Sequence, residues 1–581
     1  MRATARTRPD DLLRGGAGLT PFAEAGFLFL RAPGGRRVLT LPGTEVVLWW
    51  SDAPPPDEGG WPPVGLAGTG DVRPVPFRPS GERSLLGDAG EDEGGPRILN
   101  AAYVPLVDPG ASGFGGGRGT AGRGSPRSRQ GRADFVSCLR AWGFPMAPSF
   151  VLRRGGGVAG VSVSERVRGV VRPGESGTAK GDQARAPSDL PVLRRIFRLF
   201  FVDGALLWRE VHDPAGFVET AVAPESAWGA PASWELFLST RHPLLAPYGR
   251  RFYRAAEAAL HALYALGLDL GFVDLAETEE GFSLLAVEAP PGLALSQARL
   301  LGRFLRRRYP CRRGENPEAP PPTLGADLEL LLERSDGRIV PASRWFPEAG
   351  EIGCDRVTVR RRDGRERPVL ELRPSPKASP EELVGEVRRL LHDVFRRVPT
   401  LGVYAGPGRP GLPTGGHVHV SGVPLTFRLL RQFDRYVALP LALLEPVGGA
   451  RRPRYGFPGD ARAKGHGGFE YRTPASFLTS PDTAYAAFIL AYAVARCTDR
   501  LPALRAKTAW LTCALLPEEE GALAAEVLAA WRELRPLYIR LFAGTPEAVS
   551  RIRAADDLYR RAAWSTREAR QDLRELWRGG G

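Results

Sequence analysis

The stretch Gly415-Gly416-His417-Val418-His419-Val420-Ser421 constrains the fold more than any other. Strand side chains alternate with period two, so His417 and His419 face one side while Val418 and Val420 face the other. Such a strand fits a sheet with one face on a core and the other open, with the imidazoles on the open face. A pair of imidazoles can bind a metal ion or a phosphate. It can equally be the solvated side of an ordinary strand, and repetition of the pattern decides between the two.

The pattern recurs three more times. Leu324–Glu333 presents Asp327 and Glu329, Val369–Pro374 presents Glu371 and Arg373, and Gly468–Thr473 presents Glu470 and Arg472. Apolar residues of opposite parity flank each pair. Four such segments, holding acids, imidazoles and guanidiniums, predict one polar sheet face that lines a cavity. Carboxylates with an imidazole suit Mg²⁺ or Mn²⁺. Arginines neutralise a transferred phosphoryl group and grip carboxylates bidentately. Together these parts suit phosphoryl transfer to a carboxylate. A metal hydrolase built on the two histidines stays open, although the arginines favour a nucleotide-dependent reaction. Arg451, Arg452, Arg454, Arg462 and Lys464 lie in a Pro/Gly-rich loop that could close over phosphates or a substrate carboxylate, or simply be basic surface. Glu351 and Asp355, flanking Gly353, rank second.

The length, 581 residues, exceeds what one core supports, and 43% hydrophobic residues predict packed domains. Pro- and Gly-rich chain at 312–322 reads as a linker. It separates a region at 96–311, preceded by an α/β region at 1–95, from a domain at 323–581. Residues 109–133 are Gly, Arg and Ser with few apolar side chains and read as a flexible loop. In the first half, Phe135–Trp142 reads as a helix and Val167–Pro173 as a strand entering the loop Gly174–Gly181. Asp203-Gly204 between apolar runs predicts a hairpin. Phe252–Leu266 predicts a helix stopped by Gly267. Leu268–Leu275 and Phe282–Glu288 read as paired strands carrying Asp274 and Glu288, two acids that are costly in apolar strands unless a cation binds. In the second half, Ser379, Pro380 and Glu382 open a helix with Leu383, Val387, Leu390, Val394 and Val398 on its apolar face. Helices at 482–500 and 518–577 are expected behind the sheet. His212, His242, His261 and His392 read as ordinary scaffold residues, and His466 is ambiguous.

Two resemblances arise from these residues. "GLDLGFVDLAETEEGFSLLAVEAPPGL" and "RIFRLFFVDGALLWRE" resemble the ATP-grasp fold, in which an Asp and a Glu on adjacent strands hold magnesium. Asp274 and Glu288 match those positions. Ala289 and Pro290 depart from the family's asparagine, and Arg172 or Lys180 stands in for its phosphate-binding lysine. "LGADLELLL", "IGCDR", "LELRPSP", "GGHVHVSG" and "RRPRYGFPGDARAKGHGGFEYRTPASFLTSP" resemble glutamine-synthetase-like enzymes and, more closely, phage-type carboxylate–amine ligases, the amidoligases. Leu328 stands where that family often has proline. The resemblance implies an α+β chain: an ATP-grasp-like half, then a glutamine-synthetase-like antiparallel sheet with packed helices. It implies ATP and Mg²⁺ or Mn²⁺. Asp327, Glu329, Glu371, His417 and Glu470 would be ligands of one shared ion. His419, Arg472, Arg452, Arg462 and Lys464 would contact phosphates, with Glu329, Arg373 and Arg472 central to catalysis. The implied reaction joins a carboxylate, on an amino acid or peptide, to an amine.

Net charge is +14, but the arginines are spread through every segment, which fits anionic small substrates better than nucleic acid. Cys138, Cys311, Cys354, Cys497 and Cys513 are odd in number and widely spaced, which fits a reducing cytoplasm. No signal-like apolar stretch follows the start and no run of about 18 apolar residues predicts a membrane helix. A nucleotide-binding protein with one decayed half is the remaining alternative. Oligomeric state is not legible.

Overall fold

The computed structural model describes residues 24–25, 28–32, 36–41, 46–50, 97–100, 150–154, 157–161, 192–213, 217–228, 242–265, 267–288, 293–309, 321–361, 364–446, 451–452, 455–464, 468–498, 500–501, 520–564 and 567–577. Helices alternate with mainly antiparallel sheets, an α+β architecture. The chain forms two compact units. One comprises Met1–Pro231, Glu235–Glu315 and Arg505–Ala509; the other comprises Ala232–Trp234, Asn316–Leu504 and Trp510–Gly581. The expected flexible loop at 109–133, the expected helix at 135–142, the expected strand at 167–173 with its loop at 174–181, and most of the expected linker at 312–322 lie outside the described residues.

The first unit has a five-stranded antiparallel sheet. Its order is Phe282–Glu288, Leu270–Thr278, Leu193–Val202, Ala205–His212, Val218–Val222. Asp203 and Gly204 take φ of 44° and 86°, the left-handed pair that a tight two-residue hairpin turn needs. The helix Gly249–Ala265 covers the sheet and starts three residues before its predicted first residue. Phe252 packs its ring 4.3 Å from that of Phe197, and Gly267, at φ 74°, ends the segment. A smaller sheet joins Leu28–Ala32, Arg36–Thr40, Val46–Trp50 and Arg97–Asn100, the last pair parallel.

The second unit is built on a sheet of order Ile352–Cys354, Val369–Leu372, Thr323–Glu333, Gly416–Ser421, Phe469–Tyr471, Ala461–Ala463. Every adjacent pair is antiparallel. One face is the core: Leu328, Leu330, Leu370, Leu372, Val418 and Val420 are buried. Each such side chain contributes about 1.5–3 kcal/mol relative to exposure. Two helices, Pro380–Arg397 and Pro481–Cys497, pack on that face. Both open on a serine cap: Ser379 accepts from the Glu382 amide at 3.4 Å and Ser480 from the Thr483 amide at 3.1 Å. The helix Ala548–Ala563 packs on Pro481–Cys497 and on Glu520–Phe542, forming a further layer.

One irregularity positions the site. Between the helices Phe427–Phe433 and Leu439–Leu444 the chain makes a π-helical turn, Asp434–Ala438. The turn carries the fully buried Asp434, whose carboxylate accepts from the Tyr471 hydroxyl at 2.6 Å and the Gly459 amide at 3.0 Å. The strand bearing Glu470 and the loop before it are thereby tied to the helical layer. Among the described residues no helix is long and apolar enough to cross a membrane.

Candidate active site

The register of the second sheet assembles the predicted polar face. Glu371 lies opposite both Glu329 and Gly353 on its two neighbouring strands. Asp327 lies opposite His417, and Gly325 opposite His419. Glu470 lies opposite His419 and Arg462. Directly opposed residues share a face, so Glu371, Glu329, Asp327, His417, His419, Glu470 and Arg462 form one continuous polar surface.

Glycines make room for it. A Cβ on Gly415 would sit 2.3 Å from His417 Nε2, and one on Gly416 would sit 2.5 Å from Phe477 Cδ1. On Gly353 it would sit 2.3 Å from an Arg373 guanidinium nitrogen. The Gly415 amide donates to Glu329 Oε2 at 2.6 Å, fixing that carboxylate in its buried position.

The expectation of one shared ion is corrected. The acids fall into two clusters, Glu329–Asp355–Glu371 and Asp327–His419–Glu470, each with one ligand atom per residue within 4.8 Å of the others. His417 stands between them, with Nδ1 3.2 Å from Glu470 and Nε2 3.9 Å from Glu329. Asp355, ranked second from sequence, belongs to the first cluster. Its sequence signal was the spacing of two from Gly353, which places both on the site face. Glu351, ranked with it, is exposed and pairs with Arg389 at 2.9 Å.

Charge balance differs between the clusters. Burial raises Glu329 above the usual carboxylate range despite His417 and Arg451 nearby. Burial, with the charge of Asp327 close behind, pushes Glu371 up to about 7, against the pull of Arg373. In the second cluster burial is overcome. His419, bonded to Asp327 at 3.0 Å, holds that acid below its ordinary value. Hydrogen bonds from His417 and Lys464 and the charge of Arg462 hold Glu470 far below its own. Lys464 Nζ lies 2.7 Å from Glu470, Arg462 3.4 Å and Arg472 Nε 3.3 Å.

Both clusters fit a hard divalent cation. The first offers three carboxylates and the second two carboxylates with one imidazole, donor sets that suit Mg²⁺ or Mn²⁺. Glu371, raised although Arg373 bonds to it, marks the end of the face where acid outweighs cation.

Two arginine assignments change. Arg373, expected to be central to catalysis, donates to the carbonyls of Gly350 at 3.1 Å and Cys354 at 3.0 Å and to the Glu371 carboxylate. It orients Glu371. Arg452, expected to reach phosphates, is locked bidentately on Glu445 at 2.7 and 2.8 Å and on the carbonyls of Gly456 and Thr473. Its neighbour Arg451 was grouped with it in the loop. The structure buries it instead, with one nitrogen donating to the Arg472 carbonyl at 2.7 Å and another near Gly415. Arg472 keeps company with Asp460 at 3.5 Å, a buried acid that the sequence did not single out. Arg454 and His466 lie outside the described residues.

In the first unit, Asp274 is buried and faces Arg198 at 3.7 Å. Register pairs Asp274 with Ala286 and Phe272 with Glu288, so Asp274 and Glu288 stand diagonally on one face, beside a bulge after Asp274. Arg172 and Lys180, and the side chain of Glu288, lie outside the described residues.

The sheet face thus gathers acids, imidazoles, guanidiniums and an ammonium on one surface. Residues 324–578 match the family described as phage phiEco32-like COOH.NH2 ligase-type 2, so the second unit carries an amidoligase-type domain. No curated protein matches the chain. Among solved structures, a bifunctional glutathione synthetase from Pasteurella multocida matches at 15% identity and a TM-score of 0.30. That match covers 45% of this chain, which spans about half, 48%, of that protein's length.

Proposed function

We propose that the protein is an ATP-dependent carboxylate–amine ligase that forms an amide or peptide bond on an amino acid or peptide. The observation that carries the reading is the row of cations, Arg462, Lys464 and Arg472, around Glu470 on a sheet face that holds two acid clusters, in a domain that matches a ligase family. A metal-dependent amide hydrolase would use the acids and imidazoles, but it has no need of that row.

In the proposed reaction a substrate carboxylate oxygen attacks the γ-phosphorus of ATP, and ADP leaves. The amine nitrogen then attacks the carbonyl carbon of the acyl phosphate, phosphate leaves and the nitrogen loses its proton. Divalent cations held by Glu329, Asp355 and Glu371 and by Asp327, His419 and Glu470 would neutralise phosphate charge. Arg462, Lys464 and Arg472 bind and orient the phosphates. His417, wedged between the clusters, holds Glu329 and Glu470 apart, and Arg373 aims Glu371.

For the first unit the reading is an ATP-grasp-like domain with Asp274 and Glu288 as its ion-holding pair. The two units would then perform two ligations, or act in turn on one peptide. The two described cysteines, Cys354 and Cys497, are buried and free, which suits a cytoplasmic setting.

The test offers ATP, Mg²⁺ and pooled amino acids or peptides to the full chain, and measures ADP release and product mass. A ligase releases ADP only with both co-substrates and gives a product lighter than their sum by one water. Glu329→Gln is expected to lower turnover about 100-fold or more, as loss of an ion-holding or ion-orienting group does. Amide cleavage without ATP, or equal turnover in the variant, would refute the assignment.

A further inference from the structure

An arginine-rich hairpin, Val359–Arg361 paired with Gly364–Glu366, is inserted between Ile352–Cys354 and Val369–Leu372. Asp355 follows the first of these strands and Glu371 lies on the second, so both ends of the hairpin run into the first acid cluster. A bond from the Asp355 amide to the Val369 carbonyl, 3.0 Å, closes the ladder at its base.

The hairpin carries an internal conflict. Its register sets Arg360 directly opposite Arg365. Like charges so placed repel and destabilise a two-stranded pair. Nearby arginines have acids: Arg344 takes Glu366 at 2.7 Å and Arg367 takes Glu348 at 2.8 Å. Arg356, Arg360 and Arg365 are exposed, and among the described residues none has a carboxylate within ion-pair reach. Two guanidinium forks side by side, unneutralised and exposed, are what one carboxylate would complete bidentately. Arg360 is five residues from Asp355, at most about 16 Å of extended chain.

We propose that this hairpin is an anion subsite for the carboxylate substrate, which is an acidic peptide with a second carboxylate about 10–16 Å from the reacting one. Only the word "reacting" rests on the ligase reading, since binding at the hairpin needs no ATP. One acidic peptide supplies both the carboxylate that the reaction consumes and the partner that the arginines lack. A nucleic acid supplies only the second.

The probe is fluorescein-labelled penta-glutamate, with penta-glutamine as control, measured by anisotropy on the full chain without ATP. The parent is expected to prefer penta-glutamate, and Arg360→Gln with Arg365→Gln to weaken it about five- to tenfold, the worth of two exposed charge pairs. Arg396→Gln, an exposed arginine on the helix Pro380–Arg397 behind the sheet, should leave this binding within about twofold, and the absence of ATP from the assay separates the subsite from the ligase reading. Arg360→Glu puts opposite charges across the hairpin, which favours its fold, and should lose the peptide as well. Unchanged affinity in either arginine variant overturns the proposal. So does a labelled single-stranded oligonucleotide that binds more tightly than the peptide and is lost in the same variants.

Discussion

The two acid clusters occupy one sheet face, share the strand Thr323–Glu333 and are separated by a single histidine, yet their electrostatics are opposite. Glu329, Asp355 and Glu371 face one another with Arg373 as the close cation, and burial leaves Glu371 at about 7. Glu470 is buried and Asp327 half-buried, but His419, His417, Lys464 and Arg462 more than compensate. Strand register alone cannot produce the difference. It comes from what flanks each end of the sheet: Lys464 and Arg472 beside Glu470, but Gly353 and a third acid beside Glu371. The first cluster therefore carries an excess of acid that a divalent cation would neutralise. The second already holds cations, and an ion entering there competes with Lys464 unless phosphate draws the lysine away.

The sharpest way to break this comparison is to titrate Mn²⁺ into the full chain by electron paramagnetic resonance. Two classes of site are expected, the tighter at Glu329–Asp355–Glu371. Glu371→Gln should weaken the tight class about 10–100-fold, about 1.4–2.7 kcal/mol, while Asp327→Asn, which removes a neighbouring charge but no ligand of that cluster, shifts it far less. The reverse pattern would invert the ranking of the clusters.

A pH experiment comes next in size. A carboxyl raised in the folded state binds a proton more tightly there than in the unfolded chain. Its contribution favours folding at low pH and is lost as pH rises from the unfolded value near 4.5 through about 7. Ion-free protein should therefore lose roughly 1–3 kcal/mol between pH 5 and 8 from Glu371. Urea melts at the two pH values measure it. Glu371→Gln should flatten the slope, and saturating Mg²⁺ should remove it. A slope unchanged by both would mean the cluster carries no surplus charge.

How much of this was legible depended on period and parity. Strand alternation placed Asp327, Glu329, Glu371, His417, His419, Glu470 and Arg472 on one face, because a face is a local property of a strand. The Asp203-Gly204 turn and the Leu383–Val394 helix stripe were legible for the same reason. Which acids share an ion was not legible, since that depends on pairing across strands far apart in sequence: Glu371 beside Glu329 rather than beside His417. Asp355 was underrated because it follows its strand's last paired residue and lacks a polar partner two residues on within the strand. Arg451 and Arg452 look alike in the sequence. Only the fold shows that Glu445 captures one and that the other turns toward Gly415. The π-turn at Asp434 left no periodic trace, because one extra residue per turn is a packing outcome.

The smallest expected effect separates the clusters most cleanly. Lys464 Nζ sits 2.7 Å from Glu470, and the lysine side chain is largely covered. Lys464→Met keeps the apolar stem and removes the charge. If the lysine both guards Glu470 and grips phosphate, two effects should move in opposite directions. The KM for ATP should rise about three- to tenfold, roughly 0.7–1.4 kcal/mol, with a smaller change in kcat. The weaker Mn²⁺ class should tighten a few-fold, because its competitor at Glu470 is gone. The tight class should not move, since no atom of Lys464 pairs with Glu329, Asp355 or Glu371 among the described residues. A change in the tight class alone would show that the two clusters form a single electrostatic unit, with His417 transmitting charge between them.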